Sequence, residues 1–172
     1  MRSRALRLTV FLAMIGLLSS GPAVRAEESG DPAALATALK DTSVTLQDGL
    51  KASEREGQPI SAKFEIEKGK LQLSVYTMKG NDFFEVVADS KTGAIAKTKK
   101  ITEGDDLKDA AAQKTAMAKA TVSLLAAADA AAKANAGSRA VSIVPQLQGG
   151  HAVAEVTLLQ GTVFKKLTQK LD

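Results

Sequence analysis

The chain has no cysteine and no tryptophan, and it has little histidine, proline or aromatic residue. Its 172 residues include one His, one Tyr, five Phe and four Pro. Without cysteine no disulfide can form, and no thiolate can act as a nucleophile or bind zinc or iron. With a single histidine, Cys-His and most Ser-His-Asp arrangements are excluded as well. The composition therefore predicts a protein that is not an enzyme and carries no cofactor.

Candidate metal ligands are sparse. His151 follows Gly149-Gly150 and is expected to be an exposed turn residue without companion ligands. The densest group of acids is Glu103, Asp105, Asp106 and Asp109. Calcium prefers such oxygens, but the spacing is not that of an EF-hand loop, and acids at a helix start favour the helix dipole. We therefore expect no metal site.

The N-terminus has the three-part layout of a secretory signal peptide. Arg2, Arg4 and Arg7 precede an apolar run of 11 residues (8–18), and Val24 and Ala26 stand at minus three and minus one of a cut before Glu27. A membrane-spanning helix needs about 20 apolar residues. The pattern predicts export, to the periplasm in the first instance, with no membrane span after cleavage.

Removing residues 1–26 changes the charge balance. Four of the 23 basic residues lie in that segment and none of the 19 acids does, so 19 of each sign remain. A net basic footprint for nucleic acid is therefore missing. The cluster Lys97, Lys99 and Lys100 is interpreted as a solvated turn.

Period-two alternation predicts strands after two short helical stretches. Asp31-Pro32 starts the first helix, and Thr42 or Ser43 caps the second, which ends before Pro59. Alternating apolar residues then indicate three strands between 60 and 88, separated by turns at Gly69 and Gly80 and closed at 89–93.

The second half repeats the order of helix and strands. The alanine-rich stretch 105–136 ends at Gly137 and is expected to form one long helix or two abutting ones. Three strands follow, with turns at Gly149-Gly150 and Gly161, and Pro145 suggests an edge position for the first of them. At an offset of 81 residues, Gly69 matches Gly150 and Gly80 matches Gly161, which favours a tandem duplication.

These segments resemble the PepSY domain family. The first carries VTLQDGLKAS (44–53) and ISAKFEIEKGKLQLSVYTMKGNDFFEVVADSKTGAI (60–95), with Asp89 and Gly93 in place of the family's closing Asp and Gly. The second, 121–167, is divergent and lacks the closing turn. A β-lactamase-inhibitor-like tandem repeat is an alternative architecture.

The predicted fold class is α+β, with two tandem units of a helix and an antiparallel three-stranded meander joined by an alanine-rich helix. The predicted boundaries are a signal peptide at 1–26, an N-terminal helical segment at 27–42, a first unit at 43–98, a helical connector at 99–120 and a second, truncated unit at 121–172.

The resemblance implies a non-catalytic module, because PepSY units occur in propeptides of thermolysin-like metalloproteases and in small secreted proteins. The expected partner is an envelope or secreted protein, a metalloprotease being one candidate, bound by strand addition at a sheet edge or by a hairpin loop. The alternative is a structural or stress-related envelope protein that associates with itself.

The sequence does not identify the residues that bind the partner. Glu65 and Glu67 share the solvent side of a strand and are expected to be solvated beside Lys63 and Lys68. Phe83 and Phe84 must point to opposite faces of their strand, so one of them is a candidate contact residue.

Overall fold

The computed structural model describes residues 31–172. The predicted signal peptide and the first residues of the N-terminal helical segment lie outside this range. The elements in chain order are α1 (Pro32–Ala38), a 3-10 turn (Leu39–Asp41), α2 (Leu46–Ser53), β1 (Gln58–Glu67), β2 (Lys70–Lys79), β3 (Asp82–Asp89), β4 (Ile95–Ile101), α3 (Gly104–Met117), α4 (Leu124–Ala134), β5 (Arg139–Gln148), β6 (His151–Gln160) and β7 (Val163–Lys170). None of these helices is long and apolar enough to cross a membrane.

All seven strands form one antiparallel sheet in the order β4-β3-β2-β1-β5-β6-β7. The predicted fold class, two units of a helix and three strands joined by an alanine-rich helix, is therefore wrong. The two halves are joined by β1 and β5, which pair through Ala62 with Ile143 and Lys63 with Ser142. Alternation along a strand shows which side chains share a face, but it does not show which strand lies alongside.

The first meander also has a fourth strand. The carboxylate of Asp89 accepts the N–H groups of Lys91 and Thr92, and Gly93 donates to the Asp89 carbonyl with a positive φ of 72°. The sequence pattern predicts that this turn closes the unit. Instead it leads into β4, which pairs with β3 from Phe83 opposite Ile101 to Ala88 opposite Ile95.

The alanine-rich stretch forms two helices that lie on opposite faces of the sheet. The inner face carries Leu73 and Val75 of β2, and α2 packs on it so closely that a Cβ at Gly49 would lie 2.3 Å from the Leu73 side chain. α4 lies beside α2 on this face, and its C-cap Asn135 accepts a hydrogen bond from Lys165. Buried alanines of α4 allow this close approach (Ala127, Ala128, Ala131).

α3 packs on the outer face. Tyr76, which alternates with Val75, donates its hydroxyl to Asp106 at 2.7 Å, and the Lys114 ammonium lies 5.8 Å from the Phe83 ring centroid. α3 contacts mainly β5 and β1, and its Lys114 reaches the β2–β3 turn, where it donates to Asn81. Away from α3, the outer face carries the polar side chains of Glu65, Gln72 and Ser74, with Val87 beside them.

Pro145 lies in β5, which is a central strand, so the predicted edge position is wrong. The register between β1 and β5 extends only over residues 62–63 and 142–143. Pro145 pairs with Ala154 of β6 beyond that short ladder. The missing N–H therefore leaves no partner on β1 unsatisfied, which explains how proline is tolerated in a central strand.

Arg139 ties the N-terminal segment to the second half of the chain. Its guanidinium donates to the carbonyl oxygens of Leu39, Thr42 and Val44 at 2.6–3.1 Å. It also lies 5.5 Å from the centroid of the Phe64 ring. Burial lowers the pKa of Arg139. A guanidinium nevertheless stays charged in proteins, so the three carbonyl oxygens bind a cationic side chain.

Candidate binding surfaces

The residues singled out from the sequence do not converge on one site. His151 begins β6 and its Nδ1 lies 3.0 Å from the Asp172 carboxylate, with a largely exposed side chain. Asp172 also accepts the Ala152 N–H, and this hydrogen bond, with His151 nearby, lowers the pKa of the Asp172 carboxyl. The pair fastens the C-terminus to β6. Among residues 31–172 no group of three His, Asp or Glu is arranged to hold a metal ion.

The acids around the start of α3 act locally. Glu103 is the N-cap of the helix, and Asp105 binds Lys108 at 2.7 Å. Asp106 accepts the Tyr76 hydroxyl. The hydrogen bond from Lys108 and its charge lower the pKa of Asp105. The arrangement suits the N-terminal end of a helix dipole rather than a converging cation site.

Glu65 and Glu67 lie in a hydrogen-bond network on the open part of the outer face, so they are not merely solvated. Ser74 Oγ donates to Glu65 at 2.6 Å, and Gln72 donates to both glutamates at 2.8–3.0 Å. Burial opposes ionisation of Glu65, but the hydrogen bonds and Lys63 outweigh it and lower the pKa. Glu65 is therefore held as a carboxylate.

Glu85 lies on the same face, and its pKa is shifted in the opposite direction to that of Glu65. Burial and the carboxylates of Glu65, Glu67 and Asp106 raise its pKa, and Lys97 opposes this. Two carboxylates with opposite shifts can indicate acid-base chemistry. Here they lie on an open sheet surface rather than in a pocket, so a structural network explains them with fewer assumptions.

Phe83 and Phe84 point to opposite faces, as the alternation predicts. Phe83 is on the outer face, pairs with Met78 and Ile101, and is buried under α3. Phe84 is on the inner face and half-buried. Neither ring is free to act as an exposed aromatic contact.

Lys97, Lys99 and Lys100 lie in a strand, β4, and not in a turn as predicted. β4 is one free edge of the sheet, and residues 96–100 are all exposed. Lys100 binds Asp82 at 2.9 Å. Lys97 and Lys99 share the outer face and form no ion pair within residues 31–172. Sequence patterning missed this strand because a strand exposed on both faces has no apolar alternation.

The other free edge is β7, which is also basic. Its three lysines are Lys165, Lys166 and Lys170, and it contains no acid. Lys165 donates to Asn135 at 3.1 Å, and Lys166 donates to Glu155 at 2.7 Å. Two of the three cations on this edge are therefore engaged within the chain.

One apolar groove lies where α2 and the start of β1 meet the end of α3 and the start of α4. It measures about 280 Å³ and its main apolar walls are Leu50, Pro59, Met117 and Leu124. Pockets for small molecules are typically about 300–1,000 Å³ with several converging polar groups. The groove is smaller than that and has few polar groups, so it does not favour a small-molecule site.

Comparisons with known proteins add little. No protein-family profile matches the chain, and no curated protein sequence matches it. A crystal structure of a "putative lipoprotein" from Clostridium difficile 630 aligns with 14% identity and a TM-score of 0.41, covering 77% of this chain and 89% of that chain. At that TM-score the similarity carries no inference about fold or function.

Proposed function

We propose that this chain is a secreted, non-catalytic module of the cell envelope that binds another protein by strand addition at β4. The observation that carries the proposal is the state of that edge. β4 is paired on one side only, and residues 96–100 are exposed. A strand of this kind presents a row of unpaired N–H and C=O groups that an extended segment of a partner can complete.

Export of the module is supported by the leader-like segment 1–26, and the PepSY resemblance of residues 44–95 supports a binding role. By that resemblance a metalloprotease is one partner to test. In a complex with such a protease, β4 would lie in the cleft in the position that an extended substrate strand takes. The rest of the surface supports binding rather than chemistry, because the carboxylates of the outer face lie on open sheet.

Self-association through the edges is the rival function, and the charges of the edges oppose it. Pairing β4 with β4 would place Lys97 and Lys99 of one copy beside those of the other. Pairing β4 with β7 would bring two acid-free lysine strands together. Like charges directly opposite each other across strands are destabilising, and lysine is a common guard of exposed edges.

The experiment is capture followed by mapping. Mature protein, residues 27–172, is immobilised and exposed to envelope extract from its own source, and any retained protein is purified and added back. The proposal predicts that this partner slows amide hydrogen exchange at 95–101, and that a captured protease loses activity on binding. Protection confined to another surface, with β4 exchanging as in the free protein, would refute binding at this edge.

A further inference from the structure

The charges on β4 restrict what kind of segment can complete it. This inference rests on the proposed strand addition. Lys97 and Lys99 lie two residues apart on the outer face, opposite Val87 and Glu85 of β3. Both side chains therefore lie on one face of the sheet, together with every second side chain of any strand that pairs with β4. Each would contact a directly opposed or diagonal residue of that strand.

Within residues 31–172, Lys97, Lys99 and Lys170 are the edge-strand lysines that form no ion pair or side-chain hydrogen bond, and of these only Lys97 and Lys99 lie together on one face of one strand. Lys100, on the other face of β4, is already held by Asp82. On β7, Lys165 and Lys166 are held by Asn135 and Glu155. Glu85 lies in register with Lys99 and its charge acts on Lys97, but in the part of the chain that the structure describes neither lysine forms an ion pair with it.

We infer that the partner segment of β4 is an acidic extended strand with carboxylates at alternate positions, facing Lys97 and Lys99. Charge complementarity selects this occupant over a second copy of the chain, whose own edges are basic. It also selects it over a neutral strand, which would complete the backbone hydrogen bonds but leave the two ammonium groups with no new partner.

The test compares three capped peptides of about nine residues, slightly longer than the seven of β4. Valine alternates with glutamate in the first, with glutamine in the second and with lysine in the third. Affinity is measured by fluorescence anisotropy, and the site by amide shifts of 95–101 and 163–170. The glutamate peptide should bind about three- to tenfold more tightly than the glutamine peptide, at β4, with the advantage shrinking as salt is added.

Two pairs of variants make the result specific. Lys97→Gln with Lys99→Gln should remove the advantage of the glutamate peptide, while Lys165→Gln with Lys170→Gln on β7 should leave it unchanged. Lys97→Glu with Lys99→Glu should reverse the preference toward the lysine peptide. All substituted side chains are exposed or lie on an edge strand, and circular dichroism checks that each variant is folded.

The outcomes separate this inference from the function on which it rests. If the three peptides bind β4 with equal affinity, strand addition stands and the acidic preference is wrong. If no peptide shifts the β4 amides, strand addition at this edge is itself refuted. A glutamate preference that maps to β7, or that survives the Lys97 and Lys99 substitutions, would overturn the assignment to β4.

Discussion

Individual polar side chains connect parts of this chain that are distant in sequence. Arg139 reaches three carbonyl groups almost a hundred residues earlier in the chain. Glu65, Gln72 and Ser74 form a network across β1 and β2. None of these partnerships follows from the local sequence, because a lone Arg or Glu in an alternating strand is usually a solvated residue.

Replacing Arg139 by Gln should destabilise the protein by roughly 2 kcal/mol or more. The change removes a charged donor and leaves the carbonyls of Leu39, Thr42 and Val44 short of a partner in a partly buried place. Chemical denaturation measures the loss. Arg55→Gln is the matched control, since Arg55 is exposed and forms only a surface ion pair with Glu56. Equal stability of the two variants would contradict the role given to Arg139.

Replacing Glu85 by Gln should stabilise the protein at neutral pH, by less than about 1 kcal/mol because the side chain is partly exposed. The pKa of Glu85 is raised by burial and by neighbouring carboxylates. Protonation of Glu85 therefore favours the folded state. Its stabilising contribution is complete below the unfolded pKa and is lost as pH rises through the folded pKa.

Denaturation midpoints of wild type and Glu85→Gln, followed across pH, check the sign. The gap between them should be widest near neutral pH and close in acid, where Glu85 is protonated in both states. Glu56→Gln, which removes the ion pair of the partly exposed Glu56 with the exposed Arg55, serves as the control. A gap that widens toward acid would show that Glu85 is stabilised as a carboxylate instead.

Helices and strands follow from the sequence as long as each has an apolar face. The turns at Gly69, Gly80, Gly150 and Gly161 all have positive φ, and the glycines matched at the offset of 81 residues occupy corresponding turns of the two meanders. The sequence pattern does not predict β4, because both faces of this strand are solvated and it has no apolar alternation. The separation of α3 from α4 onto opposite faces was also hidden, since alanine is compatible with either side of a sheet.

The contact between α2 and the sheet can be tested at Gly49. A Cβ there would lie 2.3 Å from Leu73 Cδ2, and Leu73 is fully buried. Gly49→Ala should therefore destabilise the protein by about 1–3 kcal/mol, although alanine is the better helix former. In a double-mutant cycle, Leu73→Val should recover part of that loss by withdrawing the clashing methyl groups. Additive effects would show that the helix is not seated on Leu73.

The arrangement of the whole molecule is the part that sequence reasoning missed most. Two meanders were predicted as separate units, and they form one sheet through the short β1–β5 ladder. Joining them leaves one free edge on each side of a seven-stranded sheet, and both edges are basic. Without that topology, Lys97 and Lys99 are only part of a charge cluster; with it, they line a strand that a partner can reach.

The chain should remain monomeric at concentrations at which an unguarded edge would pair. Sedimentation velocity over a range of concentrations measures this. Lys97→Gln with Lys99→Gln is expected to reduce the charge repulsion between two β4 edges and so increase self-association, while wild type stays monomeric. A wild-type dimer that protects the β4 amides from exchange would instead favour the self-associating function.

The most direct measurement is hydrogen exchange of the intact mature protein with and without the alternating glutamate peptide. Binding by strand addition should protect amides of residues 95–101 and leave those of 163–170 unchanged, because only β4 gains a hydrogen-bonded neighbour. Unchanged exchange along β4 at saturating peptide, or protection of β7 in its place, would contradict binding at this edge.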